Sequence, residues 1–248
     1  GRQPQGSLAG PGFADVPEWT TILGAAKVTG KVGRDLSLGF VSAVAGSETA
    51  AVDRDGVRSV RTVEPLTSYS VLRGLREWGG GRRGLGFIAT SVLRDLDDGA
   101  LEAALSRSAL ALAFDGWTAL DRDNGWALTG WLGGTVVNGG RSAMTRLQES
   151  ALHYFQRPDQ NYVRVDPEAT SLAGWAGRLY LNKQKGNVIF NAELAAQSPG
   201  FEANDLGYHG RGDFINGHVQ VGYRTFHPGR RLRRWLGLLS YYRTLDFG

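Results

Sequence analysis

Asn187-Val188-Ile189-Phe190-Asn191-Ala192-Glu193-Leu194-Ala195-Ala196-Gln197 carries the clearest structural signal in the chain. Val188, Phe190, Ala192, Leu194 and Ala196 share one face of an extended backbone, and Asn187, Asn191, Glu193 and Gln197 share the other, with Ile189 as the exception. Successive side chains of a strand point to opposite faces, so a period of two predicts one oily and one watery side. Soluble strands average about 5–6 residues, whereas a tilted membrane-crossing strand needs about 9–11. The length of this run decides for the membrane over a soluble β-sandwich, whose strands alternate in the same way.

Working outward, the preceding run behaves alike. Ala173, Trp175, Gly177, Leu179 and Leu181 oppose Gly174, Arg178, Tyr180 and Asn182, and Lys183-Gln184-Lys185-Gly186 makes a polar hairpin turn between the two runs. Further on, Val219, Val221 and Tyr223 alternate with His218, Gln220, Gly222 and Arg224. His227-Pro228-Gly229-Arg230 then turns the chain into Trp235–Leu245. Aromatic residues at strand ends suit an interfacial girdle.

Towards the N-terminus, Ile22–Thr29 and Leu36–Val44 predict a hairpin around Lys31-Val32-Gly33-Arg34. Strands are predicted over Pro65–Trp78, Gly84–Val92, Ala109–Thr118 and Gly125–Val137, and Arg146–Phe155 reads as strand or helix. Asp121-Arg122-Asp123-Asn124-Gly125 contains the Asn-Gly hairpin signal. The expected fold is all-β, an antiparallel transmembrane β-barrel wall with about eleven strands over residues 20–248, preceded by a linker over 1–19. The longer polar segments 47–62, 156–170 and 198–212 alternate with short turns, as extracellular loops alternate with periplasmic turns.

Composition fits this picture. Hydrophobic residues make up 42% of the 248, and the mean hydropathy is −0.25. No stretch approaches the run of about 18 apolar residues that a membrane helix needs, which excludes a helical membrane protein but not a barrel, whose lumen side is polar. Glycine is abundant at 36 residues, favouring close-packed, bent strands. The absence of cysteine removes disulfides and thiolate metal sites. Only four of the 28 basic residues are lysines, and the arginines are scattered apart from Arg230, Arg231, Arg233 and Arg234. That distribution argues for lipid phosphates at a rim rather than for nucleic acid. Gly1–Val16 lacks the apolar core of a signal peptide, so an exported protein is expected to be represented by a mature or trimmed chain.

Chemistry-bearing motifs are scarce. His153, His209, His218 and His227 lack the i, i+4 spacing of a zinc-protease helix, so no metal and no cofactor are assigned. The turns at Asp53-Arg54-Asp55-Gly56, Asp95–Gly99 and Asp121–Gly125 miss the positions that a calcium loop requires. Gly79–Gly84 lacks the Gly-Lys-Ser/Thr ending of a phosphate loop, and there is no nucleophile elbow. Glu149, Glu193, Glu202, Asp205 and Asp213 are read as solvated wall or loop carboxylates. Glu202, Asn204 and Asp205 are the candidate ligand-binding residues. Arg178, Asn191, Glu193, His218, Gln220 and Arg224 are expected to face the lumen.

A set of segments resembles one uncharacterised bacterial barrel family. They are Ile22–Lys31, Glu64-Pro65-Leu66-Thr67-Ser68-Tyr69, Ala89–Asp95, Phe114-Asp115-Gly116, Tyr154-Phe155-Gln156-Arg157-Pro158-Asp159, Thr170–Gly174 and Ser198–Tyr208, in order along residues 20–215. Ser68 stands where the family pattern leads one to expect Asn, and Gly212 where it leads one to expect Ala. Members carry an amino-terminal carbohydrate-binding domain of the family-nine type and are often labelled membrane-associated hydrolases. The resemblance implies an outer-membrane barrel that continues past this chain, leaving the strands here with unpaired edges that a partner or further chain must complete.

Two functions are expected from these readings. The first is an outer-membrane pore, export conduit or structural scaffold. Its partners are outer-membrane lipids or lipopolysaccharide and other envelope subunits. The second is a cell-surface polysaccharide-binding or glycan-hydrolysing protein working through Glu202 and Asp205, although no catalytic constellation is identifiable.

Overall fold

The computed structural model describes residues 3–6, 12–225 and 232–248. Its strands are β1 (Phe13–Asp15), β2 (Ile22–Val32), β3 (Leu36–Ala45), β4 (Glu48–Arg54), β5 (Val57–Glu64), β6 (Thr67–Trp78), β7 (Arg83–Arg94), β8 (Ser106–Ala119), β9 (Trp126–Gly139), β10 (Ser171–Lys183), β11 (Val188–Gln197), β12 (Phe214–Thr225) and β13 (Trp235–Leu245). Two helices interrupt them, α1 (Gly99–Ala104) and α2 (Arg141–Glu149).

Ten strands form one antiparallel sheet in the order β13-β12-β11-β10-β9-β8-β7-β6-β3-β2. The fold is therefore all-β and antiparallel. The sheet is open: β2 and β13 each pair on one side, and among the described residues nothing joins them into a closed barrel. About eleven strands were expected. The large sheet has ten, because Arg146–Phe155, read as strand or helix, forms no strand, while residues 47–62, read as a polar loop, fold into the hairpin β4–β5 of a separate three-stranded sheet. Asp53 drives that hairpin: its carboxylate accepts the Gly56 amide at 3.1 Å, and Asp55 and Gly56 take left-handed backbone angles. Within the segment read as a linker, β1 adds a third strand to β4.

Register fixes the two faces of the large sheet. Leu179 lies opposite Leu194 and Gly130, and the face it shares carries apolar residues on every strand: Val28, Phe40, Leu72, Leu85, Phe114, Leu132, Leu179, Leu194, Val219 and Leu239. All ten side chains are exposed. The other face carries Arg178 paired with Glu193, Arg73 paired with Asp115, and Gln220 donating to Ser240 at 2.8 Å. Alternation of the kind read from residues 187–197 thus recurs in most of the sheet, though β13 carries Leu236 and Leu238 on the polar face.

The connections are strongly asymmetric. At one end lie short turns, including 33–35, 79–82, 120–125 and 184–187. A turn forms at Asn124, which is left-handed, with Asp121 accepting the Gly125 amide at 2.7 Å, but the connection spans residues 120–125 rather than the two residues that the Asn-Gly signal predicts. The turn proposed at His227–Arg230 and the residues Arg230 and Arg231 lie outside the described residues. At the other end lie the long segments 46–66, 95–105, 140–170 and 198–213.

The long segments fold over the polar face as a cap. The stretch Arg146–Phe155, read as strand or helix, resolves into the end of α2 followed by tight turns. Met144 of α2 packs with Val92, Ala109, Val137, Leu172 and Phe155 in a small apolar core. Helix α1 was not foreseen. Asp98 caps it, accepting the Ala100 and Leu101 amides at 2.8 and 3.2 Å.

Candidate functional site

The most enclosed polar cluster lies under the cap. Segment 198–202 is clamped to the large sheet: the Ser198 amide donates to the Trp175 carbonyl at 2.9 Å, the Ser198 hydroxyl accepts the Trp175 amide at 2.8 Å, and the Glu202 amide donates to the Thr135 hydroxyl at 3.0 Å. The approach is so close that a Cβ on Gly174 would fall 2.1 Å from the Phe201 nitrogen. Only glycine fits there.

This clamp delivers Glu202 to two histidines. His153, two turns beyond α2, places Nε2 2.9 Å from Glu202 Oε2, and its Nδ1 donates to the Pro199 carbonyl at 2.7 Å. His209 places Nε2 3.3 Å from Glu202 Oε1, while its Nδ1 accepts from the Gln197 carboxamide at 3.1 Å. The three side chains are 0%, 5% and 6% exposed for His153, Glu202 and His209. Burial alone would push the Glu202 carboxyl up, but the His153 hydrogen bond, the nearby His209 and the Asn204 amide at 2.6 Å outweigh it. They hold Glu202 far below the usual carboxylate range, ionised at every ordinary pH. One ligand-type atom from each of the three residues lies within 4.8 Å of the other two.

The other candidate residues surround this cluster. Asp205 forms an ion pair with Arg94, whose guanidinium also donates to the Ser106 hydroxyl at 2.8 Å. Asn204 accepts the His209 amide at 3.0 Å. A neighbouring network joins Arg157 to Asp213 at 2.5 Å, to Asp246 at 3.3 Å and to the Tyr162 hydroxyl. Tyr162 is pushed up to about 12 by burial and then by Asp213.

Two sequence expectations need correction. Glu202 and Asp213 were read as solvated, yet both are buried, because the cap supplies their partners. The histidines were read as isolated, yet His153 and His209 converge on one carboxylate. No spacing rule finds a set whose members come from two different loops.

The residues expected to face a lumen share the polar face. His218 Nε2 donates to Asn191 Oδ1 at 2.5 Å, and its Nδ1 lies 3.8 Å from Glu193. Arg224 sits at the short-turn end, where its guanidinium approaches the Gly186 and Gln184 carbonyls.

Residues 132–246 match a domain of unknown function, DUF5916. The DUF5916 match takes in most of β9, all of β10–β13, α2, and both loops that build the histidine–glutamate cluster. No curated protein matches the chain.

Proposed function

We propose that this chain forms part of the wall of a bacterial outer-membrane β-barrel that serves as a pore, export conduit or structural scaffold of the cell envelope. The observation that carries the reading is the exposed, predominantly apolar face that runs across all ten strands of the sheet. Soluble monomers rarely expose contiguous apolar patches beyond a few hundred Å². Strands of ten to fourteen residues, tilted by about 45°, also match an apolar band about 25 Å tall.

Two further features support it. Trp78, Trp126, Phe190, Tyr223 and Trp235 lie on the apolar face next to the short turns, and Trp126–Phe190 and Tyr223–Trp235 stack at 5.4 and 6.1 Å. Lys183 sits over the Trp126 ring at 5.5 Å. Aromatic rings with flanking cations form the belt that anchors a barrel at the lipid headgroups. Among the described residues the long connections lie at one end and the short ones at the other, as in outer-membrane barrels. The polar face then borders an aqueous lumen, narrowed at one end by the cap.

The glycan-hydrolysing alternative relied on Glu202 and Asp205. These carboxylates are committed to His153, His209 and Arg94, which leaves them poorly placed for acid–base work on a sugar.

Membrane fractionation tests the reading. The chain is expected to stay with outer membranes through carbonate washing and to run faster on gels when unheated. Single-channel conductance in planar bilayers then separates a pore from a scaffold. A detergent-free, monodisperse 26.8 kDa monomer would overturn the membrane assignment.

A further inference from the structure

We propose that His153, Glu202 and His209 form a zinc site that staples the two cap loops together. Two imidazoles and a carboxylate are a ligand set that Zn²⁺ favours, with a water completing a tetrahedron. The inference does not depend on the membrane reading, because the site lies wholly within the cap.

Three observations carry it. First, each ring is held by its far nitrogen, His153 Nδ1 by the Pro199 carbonyl at 2.7 Å and His209 Nδ1 by the Gln197 carboxamide at 3.1 Å. Donating the far N–H to a carbonyl, as His153 does, is the usual outer-shell arrangement of metal-binding histidines, and His209 reaches it by a change of tautomer. Second, both Nε2 atoms then converge on the two oxygens of one carboxylate, at 2.9 and 3.3 Å. Ligand atoms about 2.0–2.1 Å from a tetrahedral zinc are separated by a little over 3 Å, so small side-chain shifts admit the ion. Third, His209 Nε2 is a buried polar atom with no hydrogen-bond partner, although it points at Glu202. Buried polar atoms in folded proteins are nearly always satisfied, and a metal bond would satisfy this one.

The protons balance simply. Zinc replaces the proton that His153 Nε2 shares with Glu202, and this proton leaves to water. On His209 the proton moves from Nε2 to Nδ1, where a half-turn of the Gln197 carboxamide offers Oε1 as acceptor and gives up its 2.9 Å hydrogen bond to the Arg211 carbonyl. Glu202 stays ionised throughout.

Zinc itself is the probe. The purified, chelator-treated chain is expected to bind one Zn²⁺ per molecule by calorimetry and elemental analysis. Its X-ray absorption spectrum should show only N/O ligands, including two imidazoles. His209→Gln and Glu202→Gln, which keep hydrogen-bonding capacity, should each weaken binding at least 100-fold, while His218→Gln on the polar face binds as the parent does. Circular dichroism identifies the variants that remain folded. Unchanged zinc affinity in either folded variant would overturn the proposal. So would a parent protein that binds no stoichiometric zinc, or a zinc spectrum without paired imidazoles, and these two readouts do not depend on how any variant folds.

Discussion

Placing a charge on the apolar face tests the membrane reading most sharply. Leu132 sits at the middle of β9, opposite Phe114 of β8 and Gly177 of β10, with 60% of its surface exposed. In a water-soluble protein, Leu132→Arg changes stability by no more than about 0.5 kcal/mol, because little burial is lost. On the lipid face of a barrel the same change costs about 2–4 kcal/mol near the bilayer midplane. At about 1.4 kcal/mol per tenfold, that is roughly a 30- to 700-fold shift in the folding equilibrium. Gln220→Arg, on the polar face of β12, is the matched control and should cost less than about 0.5 kcal/mol. Urea unfolding followed by tryptophan fluorescence in phospholipid vesicles gives both values. If the two substitutions agree within about 0.5 kcal/mol, lipid does not cover Leu132 and the reasoning fails.

Further outcomes concern the cap. Asp205→Ala leaves the Arg94 guanidinium, whose side chain is 2% exposed, without its charge partner. It should destabilise the cap by about 3–5 kcal/mol, seen as faster hydrogen exchange over residues 95–105 and 198–213. Met144→Ala empties a position that is 1% exposed in the small core and should cost about 2–5 kcal/mol, with the loss in cap protection rather than in the strand hairpins. Tyr162 titrates above its ordinary value, so its neutral phenol contributes stability that is fully present below about pH 10 and is lost as pH rises towards 12. Tyr162→Phe should remove that step from an alkaline titration followed by absorbance, and an unchanged curve would contradict it.

Residues 187–197 alone were enough to indicate a two-faced strand, because the period of a pleated backbone is written directly into side-chain polarity. The same local rule gave the turns at 121–125 and 183–186 and the polar-face positions of Arg178, Asn191, Glu193, His218 and Gln220. Hairpin β4–β5 was missed because its short, mostly polar strands carry too little alternation to stand out from a loop. Helix α1 was missed for the same reason, spanning only six residues. Among the described residues the large sheet ends in two open edges, β2 and β13. Which face borders water, and whether closure comes from further strands, depend on neighbours beyond any local pattern.

The cap cluster belongs wholly to the tertiary structure. His153, Glu202 and His209 lie on two connections, and what unites them is backbone approach: Gly174 lets segment 198–202 sit on β10, and Thr135 of β9 holds the Glu202 amide. Sequence determined the strands and the two chemistries of their faces, because these follow from nearest neighbours along the chain. Only the folded cap decided which charges are buried and which partners meet, because distance in space, not along the chain, sets electrostatics.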